Sequence, residues 1–447
     1  MRFTLKSFIF IFLAFALLFA GAVVRWGKGA KDYVSIDSDL FHRVVFVKNT
    51  DTETVSLQVV FPYGEAANPF SEGLAHYTEH LAFSSGFGAT LEKDTGAFGH
   101  SNAYTSRFAT GYFINSSRGK WPEDLERLLK VAQPLDLSED FMLSERDIVM
   151  REYDFRLANA KRREAHRALT QYVYDNGALS RTVLGTPETI SNFSIDQARQ
   201  LHGMTHRLEH ATLLVFGPIT AVALETHLTK IKPPELAPPP NDLELVSLVS
   251  PVWSDRVSSG HVAASEGSED LLLFLQLRPI DHCTDVRKCI VLTELLNLVL
   301  DSTLEGGIAG PLRYDAFIAR YFGLSVSLSP RCCLEIYFEA APDAGVSLSE
   351  LEAAFRTSLR EALCNGIPEA TFDRVKERVR GGLNAVLDKP EYNIQALSQQ
   401  LSENVPFIGW NEKRKIVENI KFKDFEAFVH GLAQQEKTAL RYLQGKG

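Results

Sequence analysis

Gly73-Leu74-Ala75-His76-Tyr77-Thr78-Glu79-His80-Leu81-Ala82-Phe83 holds two histidines four apart, with a glutamate directly before the second. On an α-helix, side chains at i and i+4 stand one above the other, and i+3 lies beside them. The spacing predicts a helix over 72–83, closed by Gly86 and Gly88. His76 and His80 then offer two imidazole nitrogens to one divalent ion, with Glu79 held next to the same point. Two imidazoles fall short of the four ligands zinc usually takes, so a third protein ligand is expected elsewhere in the chain.

The stretch Ser144-Glu145-Arg146-Asp147-Ile148-Val149-Met150-Arg151-Glu152 supplies candidates, because its two glutamates are seven apart. Seven residues are almost two helical turns, so Glu145 and Glu152 share a face. A carboxylate from this helix would complete a two-His, one-carboxylate set, which leaves one coordination position open.

The rest of the chain sets the context. Its 447 residues exceed one ordinary core, so at least two domains are expected, and 45% apolar with 23% charged residues describes a folded body. A net charge of −9, with no basic stripe, excludes a nucleic-acid partner. The N-terminus departs from this pattern. Arg2 and Lys6 precede an apolar run from Phe8 to Val24, followed by Arg25, Trp26 and Lys28. Residues 1–30 read as a signal peptide cleaved near Ala20-Gly21-Ala22 or as an uncleaved signal anchor, and the interfacial Trp26 favours the anchor. The folded part is therefore expected on the far side of a membrane, in the periplasm if the source is bacterial, either anchored or secreted. Five cysteines (283, 289, 332, 333 and 364) cannot all pair internally. A Cys283–Cys289 bridge and buried free thiols both remain open.

Strands are predicted at His42–Val47, Thr54–Phe61, Ser101–Thr105, Thr110–Ile114 and Ala211–Gly217. Helices follow Pro122, run from Ser138 to about Tyr174, and span Thr220–Ile231. A proline-rich stretch, 232–246, reads as a semi-rigid linker. Beyond it, strands at Leu271–Leu277, Leu324–Ser329, Leu334–Ala340 and Thr438–Leu443 alternate with helices at Thr284–Ser302, after Gly306-Gly307, at Ser347–Asn365 and at Pro368–Asn404. The expected fold class is α+β: two homologous sandwich-like repeats, each an antiparallel-rich sheet with long helices, joined by the linker after an N-terminal hydrophobic helix. The expected boundaries are 34–231 for the repeat bearing the histidines and 247–447 for the repeat without them.

The motif resembles the inverted His-x-x-Glu-His of the pitrilysin and insulinase family of zinc metallopeptidases, which includes mitochondrial processing peptidases. The likeness extends to the Gly-Leu-Ala lead-in, to Phe83, to Ser101-Asn102-Ala103-Tyr104-Thr105 and to the strand ending at Gly217. The resemblance implies that Glu152 is the third zinc ligand and Glu145 its accompanying acidic residue. It also makes Glu79 the general base and Asn102 and Ala103 part of a substrate-binding edge strand, with one zinc ion per chain. An extended peptide or unfolded segment is the implied substrate.

Two features depart from the family pattern. The family's C-terminal repeat supplies an Arg and a Tyr that hold substrate, whereas Arg313, Arg320 and Tyr321 stand out of register here, ahead of Gly323-Leu324-Ser325-Val326. The resemblance implies pairing with a second chain, as a homodimer or as a heterodimer, and a heterodimer whose partner supplies that pair would resolve this. His202, His206 and His210 form a second histidine series, read as helix-end and turn residues rather than a second metal site. The expected function is a zinc-dependent metalloendopeptidase; the alternative is a membrane-tethered, non-proteolytic scaffold on the same fold.

Overall fold

The computed structural model describes residues 33–86, 101–156, 160–234, 244–247, 250–254, 256–263, 269–329, 332–386, 390–403, 405–433 and 435–444. The apolar segment 1–30, with its anchor-or-signal expectation, lies outside them, as do 235–243 of the proline-rich stretch. Among the described residues no helix is long and apolar enough to cross a membrane.

Strands β1 (Val34–Ile36), β2 (Arg43–Lys48) and β3 (Thr54–Phe61) precede α1 (Leu74–Gly86), the motif helix. Strands β4 (Ser101–Thr105) and β5 (Thr110–Ser117) form an antiparallel pair. Then come α2 (Trp121–Leu128), α3 (Glu139–Phe155), α4 (Ala160–Val173), α5 (Pro187–Ser191) and α6 (Ile195–Thr205). β6 (Thr212–Gly217) and α7 (Ala221–Leu228) follow. The sheet order is β1-β2-β6-β3-β5-β4, with β2 and β6 parallel.

Later in the chain lie β7 (Val257–Ser258), β8 (His261–Ala263), β9 (Leu271–Pro279), α8 (Val286–Leu300), β10 (Ala319–Ser329) and β11 (Cys333–Pro342). Helices α9 (Leu348–Arg360), α10 (Glu369–Val386), α11 (Pro390–Ser402), α12 (Trp410–Asn419) and α13 (Phe422–Leu432) lead to β12 (Lys437–Gln444). This second sheet runs β10-β11-β9-β12-β7, with β8 also on β12. In both sheets an antiparallel pair holds one edge and a long strand comes next. The closing strand, β6 or β12, is inserted between that long strand and a parallel neighbour. The fold is mixed α+β with two sheets and many helices.

Alternation decides which face each strand offers. Val55, Leu57, Val59 and Phe61 of β3 join Leu74, Tyr77 and Leu81 of α1 and Met142 and Val149 of α3 in the first core. Leu272 and Phe274 of β9 join Ile336 and Phe338 of β11 in a second core, where the Phe355 ring stacks on Phe338 at 3.7 Å. The opposite faces are covered reciprocally. Ala165, Leu169 and Val173 of α4 pack on Leu273, Leu275 and Leu277 of β9, while Leu397 of α11 packs on Val45, Val47, Leu214 and Phe216 of β2 and β6.

That exchange corrects two expectations. The single helix expected over 138–174 is two, α3 and α4, because α3 serves the first core and α4 the second sheet. The helix expected over 368–404 is likewise two, with Pro390 in the first turn of α11, a position that needs no N–H donor. After Gly306-Gly307 the expected helix is a short π-helical turn, Gly310–Asp315, and β10 begins at Ala319 rather than Leu324. Cys283 pairs with Cys289 and Cys332 with Cys333, leaving an exposed free Cys364, so the buried-thiol alternative fails for those four.

Candidate metal centre

The motif helix is fixed at both ends of its first turns. Gly73 has φ +90°, and a Cβ there would lie 2.6 Å from the Cα of Gly185, so only glycine permits this close approach. Glu65, 1% exposed, accepts from Asn68 Nδ2 at 3.1 Å beside the helix start, where the backbone at Gly73 and Ala75 favours its charged form. One turn on, the Tyr77 hydroxyl donates to the Met142 carbonyl at 2.5 Å, which ties α1 to α3 in register. The Tyr77 ring stacks on Phe193 at 5.2 Å.

This scaffold brings His76, His80 and Glu152 together, with one ligand atom from each lying within 4.8 Å of the others. Glu152 Oε2 is 3.5 Å from His76 Nε2 and 3.6 Å from His80 Nε2. Zinc bonds of about 2.0–2.2 Å place neighbouring ligand atoms of a tetrahedron about 3.3–3.5 Å apart, so these separations fit one ion. His80 Nδ1 lies 3.3 Å from Glu145 Oε2, which orients the ring so that Nε2 faces the shared point. Glu79 is buried alongside, its Oε2 3.9 Å from His76 Nε2 and accepting from the Thr105 hydroxyl at 3.2 Å.

Burial lowers the His76 pKa to about 4, which keeps its imidazole neutral and able to bind a cation. Burial also works against charge on His80, yet hydrogen bonds to Glu145 and Glu152 and the Glu79 charge push it up to about 10. Burial raises Glu79 to about 7, with the His80 charge and the Thr105 hydrogen bond opposing. The His80 hydrogen bond, aided by the Arg156 charge and opposed by burial, holds Glu152 below the usual carboxylate range. Three carboxylates around two imidazoles make a field that favours a divalent cation.

Asn102 is exposed on β4, at the end of the sheet order, with its side-chain oxygen accepting from the Ala103 N–H at 2.9 Å. The second histidine series is spent otherwise. His202 Nε2 is 2.8 Å from the Val131 carbonyl oxygen, and His206 Nε2 is 2.7 Å from the Tyr112 hydroxyl. His210 sits edge-on to Tyr63. In the second half, Arg320 pairs with Glu269 at 2.9 Å, Arg313 lies over the exposed Tyr314, and Val326 is buried in the second core. Thr105 and Arg156, which ion-pairs with Glu152, were not singled out from sequence. Arg156 was findable, because it stands at i+4 from Glu152 on one helix.

Burial pushes Glu65 up to about 8, against the Gly73, Asn68 and Arg181 interactions. The folded pKa exceeds the unfolded one, so the folded state holds this proton more tightly. The resulting stability is full below the unfolded pKa and is lost as pH rises through about 8. Glu65→Gln, which stays neutral, is expected to melt higher than wild type at pH about 8.5. Its advantage should shrink towards pH about 5, with a gap of at most a few kcal/mol at the ordinary 1.4 kcal/mol per tenfold. Calorimetry at the two pH values checks this, and a pH-independent gap contradicts it.

Residues 43–187 match the family described as Insulinase (Peptidase family M16). Similar to it is an uncharacterized zinc protease of Rickettsia bellii, 21% identical over 80% of this chain and 84% of that protein. The β subunit of the mitochondrial processing peptidase of Neurospora crassa is 22% identical over 80% of this chain and 76% of its own length. Among solved structures, a protease from Helicobacter pylori superposes with a TM-score of 0.76 at 19% identity, covering 92% of this chain and 99% of that one. A Pseudomonas fluorescens structure described as a peptidase M16 inactive domain gives 0.74 at 14% identity, covering 93% and 98%. At these identities the structural likeness establishes the fold.

Proposed function

We propose that the chain is a zinc-dependent metalloendopeptidase acting on peptides or unfolded protein segments. The observation that carries this is the convergence of His76 Nε2, His80 Nε2 and Glu152 Oε2 beside the buried Glu79 carboxylate. Bound by those three atoms, one zinc ion per chain would polarise the scissile carbonyl and make a water nucleophilic near neutral pH. The chain's own residues do the rest. Glu79 takes a proton from the attacking water and returns it to the leaving amine, while the Thr105 hydroxyl steadies its Oε2. Glu145 orients His80 through Nδ1. Main-chain pairing along Asn102 and Ala103 on the β4 edge would draw an extended substrate past the metal.

The organisation belongs to the same proposal. Residues 34–231 form the catalytic repeat and 247–447 a repeat without catalytic residues, joined through 232–246, and the shared strand order supports duplication of one unit. The chain pairs with a second family subunit as a homodimer or a heterodimer, and in a heterodimer the different chain supplies the substrate-holding Arg/Tyr pair. In support, Arg320 is engaged by Glu269, and the Val326 side chain is buried. The segment 1–30 exports or anchors the peptidase body outside the membrane.

The non-proteolytic scaffold is the second reading, favoured by the likeness to a domain described as inactive. Against it stands the full set of ligands, base and His80-orienting carboxylate. Incubation of the purified chain with a mixture of unstructured peptides decides between the two. Cleavage that stops with a chelator and returns with zinc is expected; intact peptides at every zinc concentration favour the scaffold.

A further inference from the structure

We propose that Arg156 is a positioning residue that confines Glu152 to binding the ion through one oxygen, which keeps the fourth coordination position open. The inference rests on the zinc-site reading above. The two oxygens of Glu152 have different partners: Oε2 faces His76 Nε2 at 3.5 Å and His80 Nε2 at 3.6 Å, whereas Oε1 is ion-paired with Arg156 Nη2. Arg156 is the C-cap of α3, at i+4 from Glu152, so helix geometry keeps the guanidinium over that carboxylate.

A carboxylate binds a divalent ion through one oxygen or both. Two-oxygen binding by Glu152 would fill the position that water and the peptide carbonyl must share. A guanidinium N–H on Oε1 engages the lone pairs that such binding needs and leaves Oε2 as the ligand atom. The pair contributes little to folding, because the Arg156 side chain is more than half exposed and an exposed i,i+4 pair adds only a few tenths of a kcal/mol. A purely structural Arg156 would therefore leave the coordination number of a bound ion untouched.

Cobalt(II) reads that number directly, since four-coordinate cobalt absorbs several-fold more strongly in the visible than five- or six-coordinate cobalt. In the full chain, wild type is expected to show the intense spectrum and Arg156→Ala a several-fold weaker one, with the metal-free melting temperature unchanged. Arg156→Lys, whose ammonium also occupies Oε1 but only as a point charge, should recover part of the intensity. Identical spectra for wild type and Arg156→Ala, equal losses in Arg156→Ala and Arg156→Lys, or a weak wild-type spectrum would each overturn the proposal. If wild type binds no cobalt at all, the metal-site reading falls with it; bound cobalt with unchanged spectra overturns only the role of Arg156.

Discussion

Glu79→Gln is expected to lower peptide hydrolysis by about 10²–10⁴-fold, the usual reach of a positioned general base, while zinc content stays at the wild-type level. Glutamine keeps the shape of Glu79 and can still accept from the Thr105 hydroxyl, which now reaches Oε2 at 3.2 Å. It loses the capacity to take a proton. Glu79 is not among the three converging ligand atoms, so its substitution leaves them in place. Turnover of a fluorogenic peptide and elemental analysis of the same preparation check both halves of the expectation. Equal cleavage by the two proteins would remove Glu79 as the base.

Glu152→Ala is expected to act one step earlier, by releasing the metal. Two imidazoles alone remain, and zinc affinity should fall on the order of 10²-fold or more, with activity lost at ordinary zinc concentrations. Glu145→Ala makes the informative contrast, because it removes a carboxylate from the same helix face. It takes away only the 3.3 Å contact that orients His80, so the expected loss of affinity is about 10–100-fold. Zinc titration against a competing chelating dye ranks the two variants. A larger loss in Glu145→Ala would exchange the roles of the two glutamates.

The site was more legible in the sequence than the fold around it. His76, Glu79 and His80 follow from helical periodicity alone, since their neighbourhood is set within one turn. Choosing Glu152 over Glu145 needed the family resemblance, because periodicity places both on one face and cannot say which reaches the histidines. In three dimensions the choice depends on the register of α1 against α3, held in part by the Tyr77–Met142 hydrogen bond between residues 65 positions apart. Thr105 and Arg156 escaped for different reasons. Thr105 meets Glu79 only through the packing of β4 on α1, whereas Arg156 stood at helical spacing from Glu152. The strands were read where alternation faces one core, as in β3, and the long helices were over-extended where consecutive helices pack on different sheets. The helical character of α3 and α4 is continuous in composition; their division is decided by what each one covers.

Anomalous diffraction at the zinc edge, from crystals of the zinc-loaded chain, tests the central claim most directly. The account predicts one strong peak bonded to His76 Nε2, His80 Nε2 and Glu152 Oε2, each at about 2.0–2.2 Å, with Glu79 outside bonding distance. A zinc peak elsewhere, or one bonded to the histidines with Glu152 turned away, would contradict it.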